Sequence, residues 1–247
     1  MKNCNRIKLA GTVLCELFAA LTVIQLLVTN QYDRLPLAFA TLLLVLIPGI
    51  AEKRFSCKLC LPLYLFALLY SVGPMLGQSW NLYYTVSWWD KLLHICGGVM
   101  FAIAGSFFFT RCSSEKTNFT LNAVFSLCFS MAVSVLWEFG EFGADCFFSM
   151  DMQDDTVITS LTSYLLGERV GVTGSLRDIQ TVAVNGIPLP TAGYIDIGLI
   201  DTMLDMLLES LGALVTTLLL LWDKGRHSLI ADQPQAAGQR QPPDSHI

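Results

Sequence analysis

The run Phe119–Phe142, FTLNAVFSLCFSMAVSVLWEFGEF, is free of charge from Phe119 to Trp137 and then sets Glu138 and Glu141 in its last turns. A hydrocarbon core of about 30 Å needs about 20 mostly apolar residues per helix, so this run reads as a membrane span that ends in carboxylates. Five more stretches match it, at about 9–28, 35–51, 59–77, 92–110 and 199–222. Composition agrees. The 247 residues are 53% hydrophobic and 14% charged with mean hydropathy +0.55, where a soluble chain has about 25% charged residues. The fold class is all-α: a polytopic protein with six transmembrane helices in one membrane domain over residues 1–225, its lipid partner the bilayer. A long extracytoplasmic loop, 146–198, joins the fifth and sixth spans. Net charge is −5 and no basic stripe runs along any segment, which excludes nucleic acid as a partner. Oligomeric state leaves no mark on the sequence.

Orientation follows from Lys and Arg, because cytoplasmic loops keep an excess of positive charge. Lys2, Arg6, Lys8, Lys53, Arg54, Lys58, Arg111, Lys116, Lys224, Arg226 and Arg240 fall on one side, against Arg34, Lys91, Arg169 and Arg177 on the other. Eleven against four puts both termini in the cytoplasm. The first run has a basic leader but no clear small-x-small cleavage site, so it reads as a retained helix and not a signal peptide. Trp80, Tyr83, Tyr84, Trp88 and Trp89 crowd the outer connection before the fourth span and Trp222 ends the sixth, as an interfacial aromatic belt requires. Of eight cysteines, Cys146 alone falls clearly outside. No disulfide framework is implied, and Cys57-Lys-Leu-Cys60 lacks the second ligand pair of a zinc site.

The outer loop changes character, with Ser, Thr, Gly and Asp interrupted by short apolar pieces. Val157–Leu166 reads as a short interfacial helix. Asn185-Gly186 inside alternating residues is a strong hairpin signal. Ordered structure covering the site is expected from the loop's apolar content. Residues 226–247, rich in Gln and Pro, read as a disordered cytoplasmic tail.

Three spans carry acids at one level. With alternating directions, Asp90 and His94 open the fourth span, Glu138 and Glu141 close the fifth, and Asp201, Asp205 and Glu209 descend the sixth in an i, i+4, i+8 stripe. A central aspartate costs roughly 2.5–3.5 kcal/mol to insert, so their convergence points to a polar site at the outer interface. Three readings stand side by side. Carboxylates with one imidazole suit a divalent metal ion, with Asp90, His94, Glu138, Glu141, Asp201 and Asp205 as candidate ligands. Paired acids also hold protons, which makes Glu138, Glu141 and Glu209 candidate acid/base groups. The plain reading has Asp90 and Asp201 as helix caps and Glu138 and Glu141 facing headgroups. The corresponding functions are a metal-dependent membrane enzyme acting on a lipid or cell-envelope substrate, a proton- or cation-coupled transporter, and a structural partner protein. A transport path should show polar groups through both leaflets, and the inner halves of the spans read as nearly all apolar. Glu16 lies too deep in the first span to reach the cluster.

Trp89-Asp90-Lys91-Leu92-Leu93-His94 with Gly98, Trp137-Glu138-Phe139-Gly140-Glu141-Phe142, and Asp201-Thr202-Met203-Leu204-Asp205-Met206 with Gly212-Ala213 together resemble the YjdF-like family of bacterial inner-membrane proteins. The resemblance implies a six-helix membrane protein with the acid and His positions in register, and no established activity. More distantly, the Asp-Lys-x-x-His opening and the Gly212-Ala213 ending look like VanZ-type membrane proteins, in which an Asn commonly stands where this chain has Glu209.

Overall fold

The computed structural model describes residues 2–112 and 118–222; the expected tail at 226–247 lies outside them, as do Lys116, Lys224, Arg226 and Arg240 of the charge count. Eight α-helices occur among the described residues: α1 (Lys2–Val28), α2 (Leu35–Leu44), α3 (Ile47–Arg54), α4 (Leu61–Ser79), the single turn α5 (Leu82–Thr85), α6 (Trp89–Cys112), α7 (Phe119–Phe148) and α8 (Leu199–Trp222). By length and composition six spans could cross a membrane, with Tyr32–Arg54 counted as one.

That second span is broken, for a local reason. Pro48 has no N–H and its ring opposes the carbonyl four residues back, which is Leu44, the last residue of α2. The freed Leu44 carbonyl accepts a hydrogen bond from the Ser71 hydroxyl of α4 at 3.4 Å. Two residues further along α4, Trp89 Nε1 donates to the Gly73 carbonyl beside Pro74 at 3.2 Å, tying α6 to α4.

The spans sort into two units of different interior. Ala19, Val23, Leu26, Ala38, Val45, Tyr64, Leu68, Val72 and Met75 form the apolar core where α1, α2 and α4 meet. The faces that α6, α7 and α8 bury against each other are glycine, serine, carboxylate and histidine: His94, Gly97 and Gly98 on α6, Ser126, Ser130, Ser134, Glu138 and Glu141 on α7, Asp201, Asp205 and Glu209 on α8. Close approach explains the glycines. A Cβ on Gly98 would collide with the Glu209 carbonyl oxygen and one on Gly212 with the Ile95 carbonyl oxygen, so α6 and α8 touch backbone to backbone.

The segment between α7 and α8 is ordered as short antiparallel ribbons. β1 (Val157–Ile158) pairs with β6 (Tyr194–Ile195), β2 (Leu161–Ser163) with β3 (Gly174–Leu176), and β4 (Ala183–Val184) with β5 (Ile187–Pro188). The helix expected over Val157–Leu166 is therefore corrected: β-branched Val157, Ile158, Thr159 and Thr162 favour extended backbone, and only Tyr164–Leu166 turns, as a 3-10 turn. The Asn185-Gly186 hairpin is present with both residues at positive φ, 53° and 81°, as a type I′ turn requires. Part of the aromatic belt has structural work instead. Trp80 stacks on Phe18 and donates to Thr22 Oγ1 at 3.3 Å, while Tyr84, Trp88 and Trp222 stay exposed.

Lys8, one of the eleven charges, is buried. Its Nζ lies 2.5 Å from Glu52 Oε1 and donates to the Leu59 carbonyl, and Glu52 Oε1 also accepts from the Leu59 N–H at 2.8 Å. Removing one partner leaves a poorly solvated charge behind. Lys8→Ala is expected to cost roughly 3 kcal/mol, the low end for a broken buried pair because Glu52 keeps partial solvent access; Lys8→Met with Glu52→Gln should recover most of it. Thermal unfolding in mild detergent reads both, and equal loss in the single and double variants would refute the pairing.

Candidate functional site

The site forms where the start of α6, the end of α7 and the start of α8 meet. Asp90 and Asp201 are the second and third residues of their helices, inside the first turn, so neither is a cap. The α8 terminus is capped by Asp196, whose carboxylate accepts from the N–H groups of Ile200 at 2.8 Å and Gly198 at 3.3 Å. Burial by itself would raise its carboxyl, but these bonds, with one from Thr156, together hold it below the usual range. Asp201 is left free to turn inward, where its Oδ1 takes a 2.6 Å bond from Lys91 Nζ.

His94 stands one turn below Asp90 and is 7% exposed. Its Nε2 lies 3.6 Å from Asp90 Oδ1 and 3.7 Å from Asp205 Oδ2, while Nδ1 faces Glu209 Oε2 at 3.8 Å. All three exceed hydrogen-bond length. Ligands sharing an ion at about 2.1 Å sit about 3–3.5 Å apart, and one ligand atom each from Asp90, His94 and Asp205 falls within 4.8 Å of the others. The Glu209 contact has a separate meaning, since a metal-bound imidazole commonly gives its other N–H to a carboxylate. Glu209 takes that position on Nδ1.

The remaining acids surround this group. Asp205 and Glu138 are 1% and 4% exposed, and Asp205 Oδ1, both oxygens of Glu138 and Glu209 Oε1 are buried with no hydrogen-bond partner. Lys91 reaches within 3.8 Å of Asp205 and 3.5 Å of Asp90, too far for strong bonds. Glu141 accepts from the half-exposed Trp137 indole at 2.7 Å. Of the six residues expected as ligands, the structure thus brings Asp90, His94 and Asp205 to ion-sized spacing. Asp201 is taken by Lys91, and Glu138 and Glu141 flank the group. Glu16 lies apart on α1, which packs on α2 and α4.

Sequence reasoning missed four contributors. Lys91 counted only as a stray positive charge, although its neighbours Asp90 and His94 marked the site. Tyr70 of α4 comes close because Gly97 has no side chain: a Cβ there would sit 2.9 Å from the phenol oxygen and 3.6 Å from Glu209 Cδ. Tyr83 on α5 packs into the space of Gly77, and its burial near Asp90 and Glu141 pushes its phenol well above the usual range. The fourth is Asp154, on a strap that crosses from α7 to α8. Met152 and Gln153 N–H groups bind the Asp145 carboxylate at 2.7 and 3.0 Å, Gln153 Nε2 reaches Thr202 Oγ1, and the Asp154 N–H binds Asp201 Oδ2 at 3.2 Å. The Asp154 carboxyl is pushed up to about 6, first by burial, then by the negative charges of Asp201, Asp90 and Asp151, with Lys91 opposing.

This chain belongs to the family described as predicted membrane proteins (DUF2238), whose model matches residues 10–226. The YjdF-like resemblance is consistent with that family, whereas the VanZ-type likeness is not shown. No curated protein and no solved structure matches the chain.

The strap should respond to pH with a definite sign. Because the folded carboxyl of Asp154 titrates at about 6, above its ordinary value of about 3.9, its contribution is complete below about pH 4 and is lost as pH rises through about 6. In EDTA-treated protein, cleavage within the strap is expected to slow between about pH 7.5 and about pH 5, after correction for the protease's own profile. Asp154→Asn should cut slowly at both. A wild-type rate independent of pH would discard this role for Asp154.

Proposed function

We propose that this membrane protein holds a divalent cation at the level of the outer interface and uses it on a lipid or cell-envelope substrate. Support comes foremost from one observation: His94 Nε2, Asp90 and Asp205 offer ligand atoms within 4.8 Å of one another, beside buried carboxylate oxygens with no protein partner. An oxygen-rich set with one imidazole suits Mn²⁺, Mg²⁺, Fe²⁺ or Zn²⁺. Six carboxylates against Lys91 leave an excess of negative charge that a cation would neutralise. When bound, the ion would supply Lewis acidity toward a phosphoryl or carbonyl oxygen. In this reading Glu209 orients His94, Glu138 and Glu141 serve as acid/base groups beside the ion, and the strap limits access of water.

Protein purified in mild detergent is expected to carry a stoichiometric divalent metal. His94→Ala and Asp205→Asn should each remove most of it without loss of insertion, because deleting one of three ligands costs affinity while a neutral side chain eases desolvation. Glu209→Gln should weaken binding by about 10- to 100-fold, the range for a lost outer carboxylate, and Glu16→Gln should change nothing. Metal analysis reads all four. A metal-free wild type across neutral pH would end the proposal.

The same reading has both termini in the cytoplasm of a bacterial plasma membrane, on the eleven-to-four charge asymmetry. Cys146, exposed at the site end of α7, should then react with an impermeant maleimide added to intact cells. Cys112, exposed at the end of α6 away from the site, should not. The reverse pattern would invert the orientation.

A further inference from the structure

The inner half of the three-helix unit is not apolar where the helices meet. Asn122, Ser126, Ser130, Ser134 and Glu138 repeat every four residues on α7, and all five are buried. Sixteen residues cover about 24 Å of helix, most of the roughly 30 Å hydrocarbon thickness. Small residues at this spacing ordinarily let helices pack closely, so the row alone decides nothing. Two further observations do. Ser134, 2% exposed, has a hydroxyl with no partner, next in the row to Glu138, whose two oxygens are likewise unpartnered. At the opposite end, Ser106, Asn122 and Ser126, with Phe119 and Leu220, line a small open recess of about 10 Å³, room for about one water. The groups between are hydrogen-bonded: Ser126 Oγ donates along the row to the Asn122 carbonyl at 2.7 Å, while Ser130 Oγ donates across to the Gly98 carbonyl of α6 at 3.3 Å and Asn122 Nδ2 to Ser106 Oγ of α6 at 3.0 Å.

We propose that this row is a proton path joining the carboxylate site to the opposite face of the membrane. Spacing favours protons over metal cations. Hydroxyls one four-residue step apart are separated by about 6 Å of rise, which one bridging water spans with two bonds of about 2.8 Å. The seam is narrow: a Cβ on Gly105 would sit 3.0 Å from Ser126 Cα, and Gly98 admits no side chain. A hydrated ion does not fit between backbones held so closely. A hydroxyl or water receives one proton on a lone pair and releases its own to the next acceptor, so each group ends as it began and no other reactant is consumed. The path stands on the hydroxyl row and the recess, and does not require a metal at the site.

The test uses the full chain in liposomes with an internal pH dye and a potassium diffusion potential. Proton flux is expected to exceed that of protein-free vesicles. Ser130→Ala and Ser134→Ala should each lower it by about tenfold, one decade of rate, while leaving metal content and thermal midpoint unchanged, since Ala keeps the small volume the packing needs. Flux at the protein-free level, or flux indifferent to the double variant, would overturn the path. If the alanine variants are unstable, Asn122→Leu decides: an apolar side chain of nearly the same shape at the recess end of the row should lower the flux by about tenfold, and unchanged flux would mean a dry packing seam. Loss of flux with metal retained fails only the path, and loss of metal with flux retained fails only the cation site.

Discussion

Charge at membrane depth must be answered by a partner, and around His94 six carboxylates share one lysine and one imidazole. Desolvating a single carboxylate costs several kcal/mol, so the local structure can be understood as a set of replies to that imbalance. Lys91 binds Asp201 and leans toward Asp90 and Asp205. The strap supplies backbone N–H groups to Asp145 and Asp201, and Trp137 turns its indole from the lipid side to Glu141. What these replies leave out around the site is confined to Glu138 of α7 and to Asp205 and Glu209 of α8, which close on the imidazole that α6 carries. A fold that satisfies its outer carboxylates and leaves the innermost ones bare has concentrated its unmet polarity where a ligand would sit.

Much of this was legible in the sequence because apolar length and acid position are both one-dimensional signals. Alternation of span direction brought Asp90, Glu138 and Asp205 to one level without any knowledge of packing. Side-chain roles were not legible in the same way. Asp201 has the address of a cap, yet Asp196 takes that role three residues before the helix because Ile197 and Gly198 turn the chain at positive φ. The row from Asn122 to Ser134 was hidden by its own composition: serine is nearly neutral in hydropathy, so one in four lowers a span's average without breaking it. Only a count at the four-residue period exposes the row, and only the position of α6 and α8 shows that it is buried and not lipid-facing. Val157–Leu166 misled for the opposite reason, since a short apolar run does not distinguish helix from strand until its β-branched content is weighed.

The two units of the bundle are held together by different physics, and this bears on where function can reside. Lipid is as apolar as Leu68 or Val45, so α1, α2 and α4 gain no hydrophobic drive from meeting in a bilayer. They are pinned instead by a few directional contacts at their ends: Lys8 with Glu52, Thr12 with Tyr64 at 3.0 Å, Trp80 with Thr22, and Arg34 with Asn81 at 2.9 Å. Between the pins Ser71 of α4 binds the Leu44 carbonyl of α2, and the core is otherwise packed by shape. In α6, α7 and α8 the order is reversed, with backbone contact at Gly98 and Gly212 and polar groups along the seam. Helices so close have few ways to repack, which holds His94 against Asp205. The apolar unit joins this rigid frame chiefly through α4, by Trp89 on Gly73 and by Tyr70 over Gly97. A displacement of α4 would therefore reach the site through the Tyr70 phenol beside Glu209, the carboxylate that faces the far side of His94.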